Sequence, residues 1–332
     1  MQKLINSPSN MVVEAISGFV KCYPKTIEYA GSPKVLKYTK APVSGKVGVV
    51  TGGGAGHDPA MYGYIGKNML DAVAVGEIFV TPTVQDLYLA FKAADSGEGV
   101  VCLYGNYKKD RVNVEKAIKL VAKEGITVKT VIAKDDVSYT EKNKRRGLAG
   151  EILMWKCGGA AASLGYSLDE VVRLSQKAIH ATRSIGVGLS SCISPMEGRP
   201  YYLIEEGTME IGIGHHGAPS FDTCKLKTAD ATAEIMINAI LNDISLKEGQ
   251  EVALLVSGMG STMLIELNII FNRIYDILVD KKLKIYRSQI GNFFTSLDMM
   301  GATVTLMKLD SELKRLLDVP INTPAMKKFT LE

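Results

Sequence analysis

The chain has 332 residues, of which 46% are hydrophobic and 22% charged, a composition typical of a globular protein with about two domains. Because 39 basic residues face 35 acidic ones, the net charge is only +4 and indicates no nucleic-acid surface. Five cysteines without a Cys-x-x-Cys pair, no signal-peptide pattern and no run of about 18 apolar residues together favour a cytoplasmic protein without a membrane span.

Strand and helix patterns alternate along the first half of the chain. Short apolar runs predict buried strands at residues 46–51, 71–75, 100–104 and 126–133. Apolar residues at helical spacing predict helices at 84–93 and 114–122, and Thr83 with Asp86 forms a capping-box pattern before the first. This alternation predicts a parallel or mixed sheet with crossover helices.

The second half repeats the same style. A helix at 168–183 begins with the capping pattern of Ser167 and Glu170 and stops before Gly186, which places a domain boundary between 1–185 and 186–332. Further strands are predicted at 187–191, 252–257, 284–289 and 303–308, and helices at 231–241 and 262–278. The last helix is apolar almost all round and is predicted to be buried. The expected fold class is α/β, with two α/β domains built on mixed or parallel sheets.

Three of the four histidines lie in glycine-rich turns: His57 follows Gly52-Gly53-Gly54-Ala55-Gly56, and His215 with His216 follows Gly212-Ile213-Gly214. Glycine-rich loops let a small ligand approach the main chain closely, so both turns are candidate binding sites. For each histidine alone, a buried structural role remains an alternative. The charge run at residues 142–146 is interpreted as a solvated loop.

Nucleotide and metal sites are weighed next. Gly212, Gly214 and Gly217 match a Gly-x-Gly-x-x-Gly pattern, but Pro219 continues it as a turn rather than as a helix, and no P-loop pattern occurs. Adjacent histidines rarely point at one ion, and no further ligand pattern accompanies them. We therefore expect neither a bound cofactor nor a metal.

Five motifs, spaced in one order along the chain, together resemble the dihydroxyacetone kinase K-subunit (DhaK) family. They are Gly-Gly-Gly-Ala-Gly-His-Asp-Pro-Ala from Gly52, Gly-Glu-Ile-Phe-Val-Thr-Pro-Thr from Gly76, Asn-Tyr-Lys-Lys-Asp from Asn106, Met-Glu-Ile-Gly-Ile-Gly-His-His-Gly-Ala-Pro from Met209, and Thr-Ser-Leu-Asp-Met-Met-Gly from Thr295. The resemblance runs essentially end to end. It implies two α/β domains and a homodimer.

The resemblance also implies site roles. By motif position, His216 holds dihydroxyacetone as a covalent hemiaminal, and His57 and Asp110 are the acid and base groups. The implied ligand contacts are Gly53, Gly54, Ala55, Gly56, His57, Thr81, Gly105 and Asp110. Phosphate reaches such subunits from a separate ADP-carrying subunit, so no nucleotide motif is expected. A neutral imidazole is a plausible nucleophile toward a ketone, and glycerol, which lacks a carbonyl, is excluded by the same chemistry.

The chain departs from the kinase pattern around this capture machinery. Ala55, Asp58 and Met61 replace the serine, glutamate and second histidine of Gly-Ser-Gly-His-Glu-Pro-Ala-His. Gly105 replaces the lysine of Lys-Asn-Tyr-Thr-Gly-Asp, and Lys108-Lys109 replace its Thr-Gly. Val80-Thr81 stand for Thr-Ser, and Lys134-Asp135-Asp136 for three aspartates. A lost hydroxyl and a lost ammonium group affect phosphoryl transfer more than hemiaminal formation.

Two functions therefore follow from the resemblance. The retained histidines and altered surroundings are most similar to the DhaQ-like coactivator branch, whose members bind dihydroxyacetone and join a TetR-type transcription factor that makes the DNA contacts. The alternative is the dihydroxyacetone-binding subunit of a phosphoenolpyruvate-dependent kinase, with the ADP-carrying subunit as its partner. Direct binding of nucleic acid or membrane is expected in neither case.

Overall fold

A computed structural model describes residues 3–216 and 222–327 of the chain. Within that part, twelve strands form two six-stranded sheets that combine with eight α-helices. The expected α/β class with mixed sheets is confirmed. By internal contacts the chain divides into two compact units, each with its own sheet.

The first unit contains residues 1–132, 154–177 and 315–332. Its strands are β1 (Ile27–Tyr29), β2 (Val35–Tyr38), β3 (Gly48–Ala55), β4 (Ala72–Ile78), β5 (Val100–Gly105) and β6 (Val128–Ala133), in the order β1-β2-β4-β3-β5-β6. β3 runs parallel to both β4 and β5, whereas β2 is antiparallel to β4. The carboxyl ends of β3, β4 and β5 therefore lie side by side at one edge of the sheet.

Helices of the first unit cover this sheet. They are α1 (Met11–Cys22), α2 (Val84–Ala94) and α3 (Lys108–Val121). The apolar faces of α2 and α3 pack on the sheet in one core cluster that includes Phe91, Val114 and Val50. Helix α2 begins as predicted, because Thr83 Oγ1 accepts a hydrogen bond from the amide of Asp86 at 3.0 Å.

The second unit contains residues 133–153 and 178–314. Its strands are β7 (Thr182–Gly188), β8 (Thr208–Ile211), β9 (Asp222–Lys225), β10 (Glu251–Gly258), β11 (Lys284–Gly291) and β12 (Gly301–Lys308), in the order β11-β10-β12-β7-β8-β9. Only β10 and β11 are parallel; the other neighbours are antiparallel. Helices α6 (Ala229–Asp243) and α7 (Leu264–Asp280) belong to the second unit, whereas α4 (Gly150–Ser163), α5 (Leu168–His180) and α8 (Ser311–Asp318) each contain residues of both units.

The division into units differs from a single cut at 185/186. That position lies inside β7, whose residues 182–188 pair with β12. Residues 133–153 also belong with the later strands, as the main-chain bridge between Asp136 and Ser184 illustrates. The predicted helix end at residue 183 is wrong, since α5 ends at His180 and β7 begins two residues later.

Three other elements differ from their predicted bounds or burial. β3 continues through the glycines to Ala55, and α3 begins at Lys108, six residues before the predicted start at 114. Helix α7 is not buried all round: Leu267, Ile274 and Leu278 face the core, whereas Leu264, Ile265, Ile269 and Val279 are exposed. The number of apolar residues in a helix does not by itself determine how much of the helix surface is buried.

Candidate functional site

The glycine strand, which we define as residues 52–55 of β3, is crossed by the segment that follows β4. A Cβ atom on Gly54 would lie 2.7 Å from the amide nitrogen of Val80 and 2.9 Å from Cα of Phe79. A Cβ on Gly76 would overlap the carbonyl oxygen of Val80 and lie 2.9 Å from the carbonyl carbon of Thr81. Glycine is required at both positions because residues 79–81, here called the crossing segment, pass directly over them.

His57 is held in place by this crossing segment. Its imidazole is 1% exposed and stacks on the ring of Phe79, with centroids 5.0 Å apart and planes at 22°. Phe79 adopts φ of 57°, a conformation that L side chains with bulky rings rarely adopt. Backbone strain of this kind is often found at binding sites, and here it occurs at the residue that packs on His57, a candidate acid or base.

Asp110 contacts the same crossing segment through Thr81. It lies in the first turn of α3, and its carboxylate is hydrogen-bonded with the Thr81 side chain. Its Oδ1 atom is buried and has no hydrogen-bond partner in the described part of the chain. Burial raises the pKa of Asp110 to about 6, although the Thr81 hydrogen bond opposes this change.

The size of that change shows which effect dominates. A pKa increase from 3.8 to about 6 corresponds to about 3 kcal/mol against the ionised form. A helix N-terminus contributes only about 0.3–1 kcal/mol in favour of a carboxylate. Desolvation therefore outweighs the helix dipole, and Asp110 exchanges protons close to neutral pH, as a general acid or base requires.

The first unit thus contains all eight predicted ligand contacts. Gly53, Gly54, Ala55, Gly56 and His57 end or follow β3, Thr81 follows β4, and Gly105 and Asp110 end or follow β5. Ligands of α/β proteins bind at the carboxyl ends of parallel strands, and these three strands are neighbours. The side chain of Met61 packs against Gly53, where an added Cβ would overlap its terminal methyl group.

His216 belongs to the second unit and lies at the end of residues 212–216, which we call the histidine turn. Its side chain is partly buried. The residues after it, including Gly217, Ala218 and Pro219 of the sequence motif, lie outside the described residues. The predicted covalent role of His216 therefore remains a prediction from the resemblance.

His215 is packed inside the second unit. Its ring is 1% exposed and stacks on Phe294, with centroids 4.5 Å apart and planes at 13°. Nε2 lies 3.3 Å from Thr303 Oγ1, and the His215 carbonyl accepts a hydrogen bond from Ser296 Oγ. These contacts fit a structural role for His215.

Arg146 contacts the histidine turn through the carbonyl of Gly212. The sequence interpretation did not identify this residue. The interpretation of the charge run at 142–146 as a solvated loop is wrong at the end of the run, because Arg145 and Arg146 are only 3% and 5% exposed. Each pairs with a carboxylate, Arg145 with Asp243 and Arg146 with Asp136. Residues 147–150, Gly-Leu-Ala-Gly, follow the run at once and are a signal that its end enters the interior.

Neither a metal-binding cluster nor a membrane-spanning helix is found where the structure describes the chain. Residues 3–216 and 222–327 contain no group of three or more His, Cys, Asp or Glu side chains suited to a metal ion. No helix in those residues is long and apolar enough to cross a membrane.

Comparison with known proteins confirms the family resemblance. Residues 17–325 match the Dak1 domain. The dihydroxyacetone-binding subunit DhaK of PTS-dependent dihydroxyacetone kinase 2 from Listeria innocua is 36% identical over 330 residues, which cover 98% of this chain and 99% of that protein.

Two solved structures have a similar fold. The dihydroxyacetone kinase of C. freundii matches with a TM-score of 0.91 and 28% identity, over 98% of this chain but only 60% of the kinase. The dihydroxyacetone kinase operon co-activator Dha-DhaQ matches with a TM-score of 0.86 and 30% identity, over 94% of this chain and 96% of the co-activator. The similarity therefore extends along the chain to a kinase subunit and to a co-activator alike.

Proposed function

The chain belongs to the Dak1 domain family, and on that premise we propose that it is a dihydroxyacetone-binding coactivator of the DhaQ-like type. It captures dihydroxyacetone as a hemiaminal on His216 and activates a TetR-type transcription factor that controls a dihydroxyacetone kinase operon. It acts in the cytoplasm as a homodimer, and the transcription factor makes the DNA contacts.

One observation carries this proposal. Asp110 has a buried carboxylate oxygen without a partner in the described residues, and Gly105, at the end of the neighbouring strand, adds no charge to the site. The kinase pattern has a lysine at the position of Gly105. A carboxyl group that is kept without this ammonium group suits recognition of a ligand hydroxyl better than stabilisation of a transferring phosphoryl group.

The capture step balances without a cofactor. The unprotonated ring nitrogen of His216 forms a bond to the ketone carbon, and the carbonyl π electrons move to oxygen. The proton from the other ring nitrogen is then lost, while the oxygen gains one and becomes a hydroxyl. Asp110, with its pKa near 6, is the candidate acceptor for a terminal hydroxyl of the ligand.

A kinase subunit is the second candidate, and two observations favour it. The chain is 36% identical over nearly its full length to a kinase subunit. The buried His57 and the raised pKa of Asp110 also provide the groups that acid and base catalysis would need.

Reconstitution separates the two functions. The purified chain is mixed with an ADP-carrying subunit and its phosphotransferase relay, and dihydroxyacetone phosphate is measured, with a DhaK subunit as positive control. The coactivator proposal predicts no turnover, together with co-elution of a TetR-type regulator from the same operon only when dihydroxyacetone is present. Turnover at a rate similar to the control would refute it.

A further inference from the structure

The histidine turn is fixed to the sheet of the second unit by its own main chain. The amide of Gly212 donates to the carbonyl of Gly186 in β7 at 2.7 Å, and Gly212 adopts φ of 79°. A Cβ on Gly186 would lie 2.5 Å from the carbonyl oxygen of Ile213. The turn therefore passes so close to β7 that its path depends on contacts of main-chain atoms.

The guanidinium group of Arg146 holds the same turn. Nη2 donates to the carbonyl of Gly212 at 2.8 Å. A Cβ on Gly214 would overlap Nη1 and lie 2.8 Å from Cζ, so the guanidinium occupies the space that a side chain at position 214 would need. Position 214 therefore requires glycine because of Arg146. This glycine lies one residue before His215 and two before His216.

Asp136 in turn fixes the guanidinium. Arg146 Nε donates to Asp136 Oδ2 at 2.8 Å, and Nη2 lies 2.6 Å from the same oxygen. The second oxygen, Oδ1, accepts from the amide and hydroxyl of Ser138 at 2.9 and 2.7 Å. The ring of Tyr139 stacks under the guanidinium, 4.8 Å from Cζ. Arg146 consequently has one well-defined orientation.

From this geometry we propose that Arg146, oriented by Asp136, is a positioning residue for His216. It fixes the path of residues 212–214 and so sets the direction in which His216 leaves the turn. The role rests on the proposed capture function. A buried ion pair gives little net stability compared with an apolar replacement, whereas the planar guanidinium gives a defined geometry that a lysine ammonium group cannot reproduce.

The test compares Arg146→Lys with Arg145→Lys. Arg145 is a matched control because it is similarly buried, while its guanidinium pairs with Asp243 and donates to the carbonyl of Tyr139. Dihydroxyacetone labelled with carbon-13 at its ketone carbon is added to each variant, and NMR distinguishes the free ketone from the tetrahedral hemiaminal carbon. The covalent fraction is expected to fall about tenfold or more in Arg146→Lys and to stay near the native value in Arg145→Lys.

A second measurement needs no ligand. Hydrogen exchange of the peptide that contains residues 212–216 is expected to become faster in Arg146→Lys but not in Arg145→Lys. Unchanged exchange in Arg146→Lys, or an equal loss of adduct in both variants, would overturn the positioning role. Absence of the hemiaminal signal in the native protein would instead overturn the capture function, so the two failures are distinguishable.

Discussion

The main chain of Val80 crosses directly over Gly76, so that a Cβ atom at Gly76 would overlap the Val80 carbonyl oxygen. The crossing segment that Val80 belongs to also carries Phe79, which stacks on His57, and Thr81, which is hydrogen-bonded to Asp110. Two glycines, Gly54 and Gly76, therefore allow one short segment to connect the two candidate acid and base groups.

Gly76→Ala is expected to destabilise the fold by about 2–3 kcal/mol, because the main-chain atoms of Val80 and Thr81 that meet the added methyl cannot move away easily. Gly18→Ala is the matched control: this glycine lies within α1, and a Cβ there meets nothing within 4 Å. The control is expected to stabilise by about 0.5–1 kcal/mol. Urea unfolding of both variants measures the difference, and similar stabilities would contradict the crowding at Gly76.

The pKa of Asp110 predicts a pH-dependent gain in stability for Asp110→Asn. The native carboxyl keeps its proton up to about pH 6, whereas an unfolded aspartate loses it near pH 4, so the native protein loses stability as pH rises through this interval. Asparagine removes this loss and is expected to stabilise by up to about 3 kcal/mol at neutral pH and by almost nothing below pH 4.

Thermal unfolding over that pH range measures the effect of Asp110→Asn. Asp169→Asn, at a 79% exposed side chain, is the control and should show no comparable gain. A loss of stability at neutral pH in Asp110→Asn would mean that its carboxylate is stabilised rather than strained in the native protein. Ligand affinity should fall in the same variant, because the buried acceptor oxygen is replaced.

The two adjacent histidines are expected to respond differently to truncation. His215→Ala removes a buried, stacked ring and should cost about 2–4 kcal/mol of stability. His216→Ala, at a partly buried position, should cost much less but abolish the hemiaminal signal. Carbon-13 NMR and thermal unfolding of both variants measure the two effects. An adduct that survives in His216→Ala would assign the nucleophile to another residue.

Phe79 permits a test of strain at the crossing segment. Glycine adopts a positive φ freely, whereas alanine at φ near 57° costs about 1–2 kcal/mol. Phe79→Gly is therefore expected to be more stable than Phe79→Ala, the reverse of the order in a regular helix. Both variants lose the ring stacked on His57, so both should bind dihydroxyacetone more weakly than the native protein. The usual order, with alanine more stable, would show that this residue does not need the left-handed conformation.

Sequence patterns predicted the parallel core of the first unit well, because β3, β4 and β5 are buried on both faces and appear as short apolar runs. The same patterns could not locate the end of β3. Glycine disfavours strands, yet residues 52–55 pair with β4, and the missing side chain of Gly54 leaves room for the crossing segment. The sequence patterns also could not predict that each unit is built from separate segments of the chain, since the pairing of residue 136 with residue 184 depends on tertiary contacts.

A motif indicates candidate site residues in the sequence, whereas a residue that is placed by packing alone gives no such signal. His57, Thr81 and Asp110 came from spaced motifs, and the structure brings all three to neighbouring strand ends. Phe79 and Arg146 gave no comparable signal: a positive φ has no sequence signature in phenylalanine, and an arginine inside a charge run looks solvated until its partner Asp136 is known.

The contribution of residues 315–327 to the first unit has a consequence for synthesis on the ribosome. Asn322 bridges to Lys67, and the carbonyl of Pro320 accepts a hydrogen bond from Asn68 at 2.9 Å. The second unit is encoded almost entirely before these residues emerge. The unit that begins first is therefore completed last. During translation, the part of its surface that residues 315–327 cover stays exposed until those residues have been synthesised.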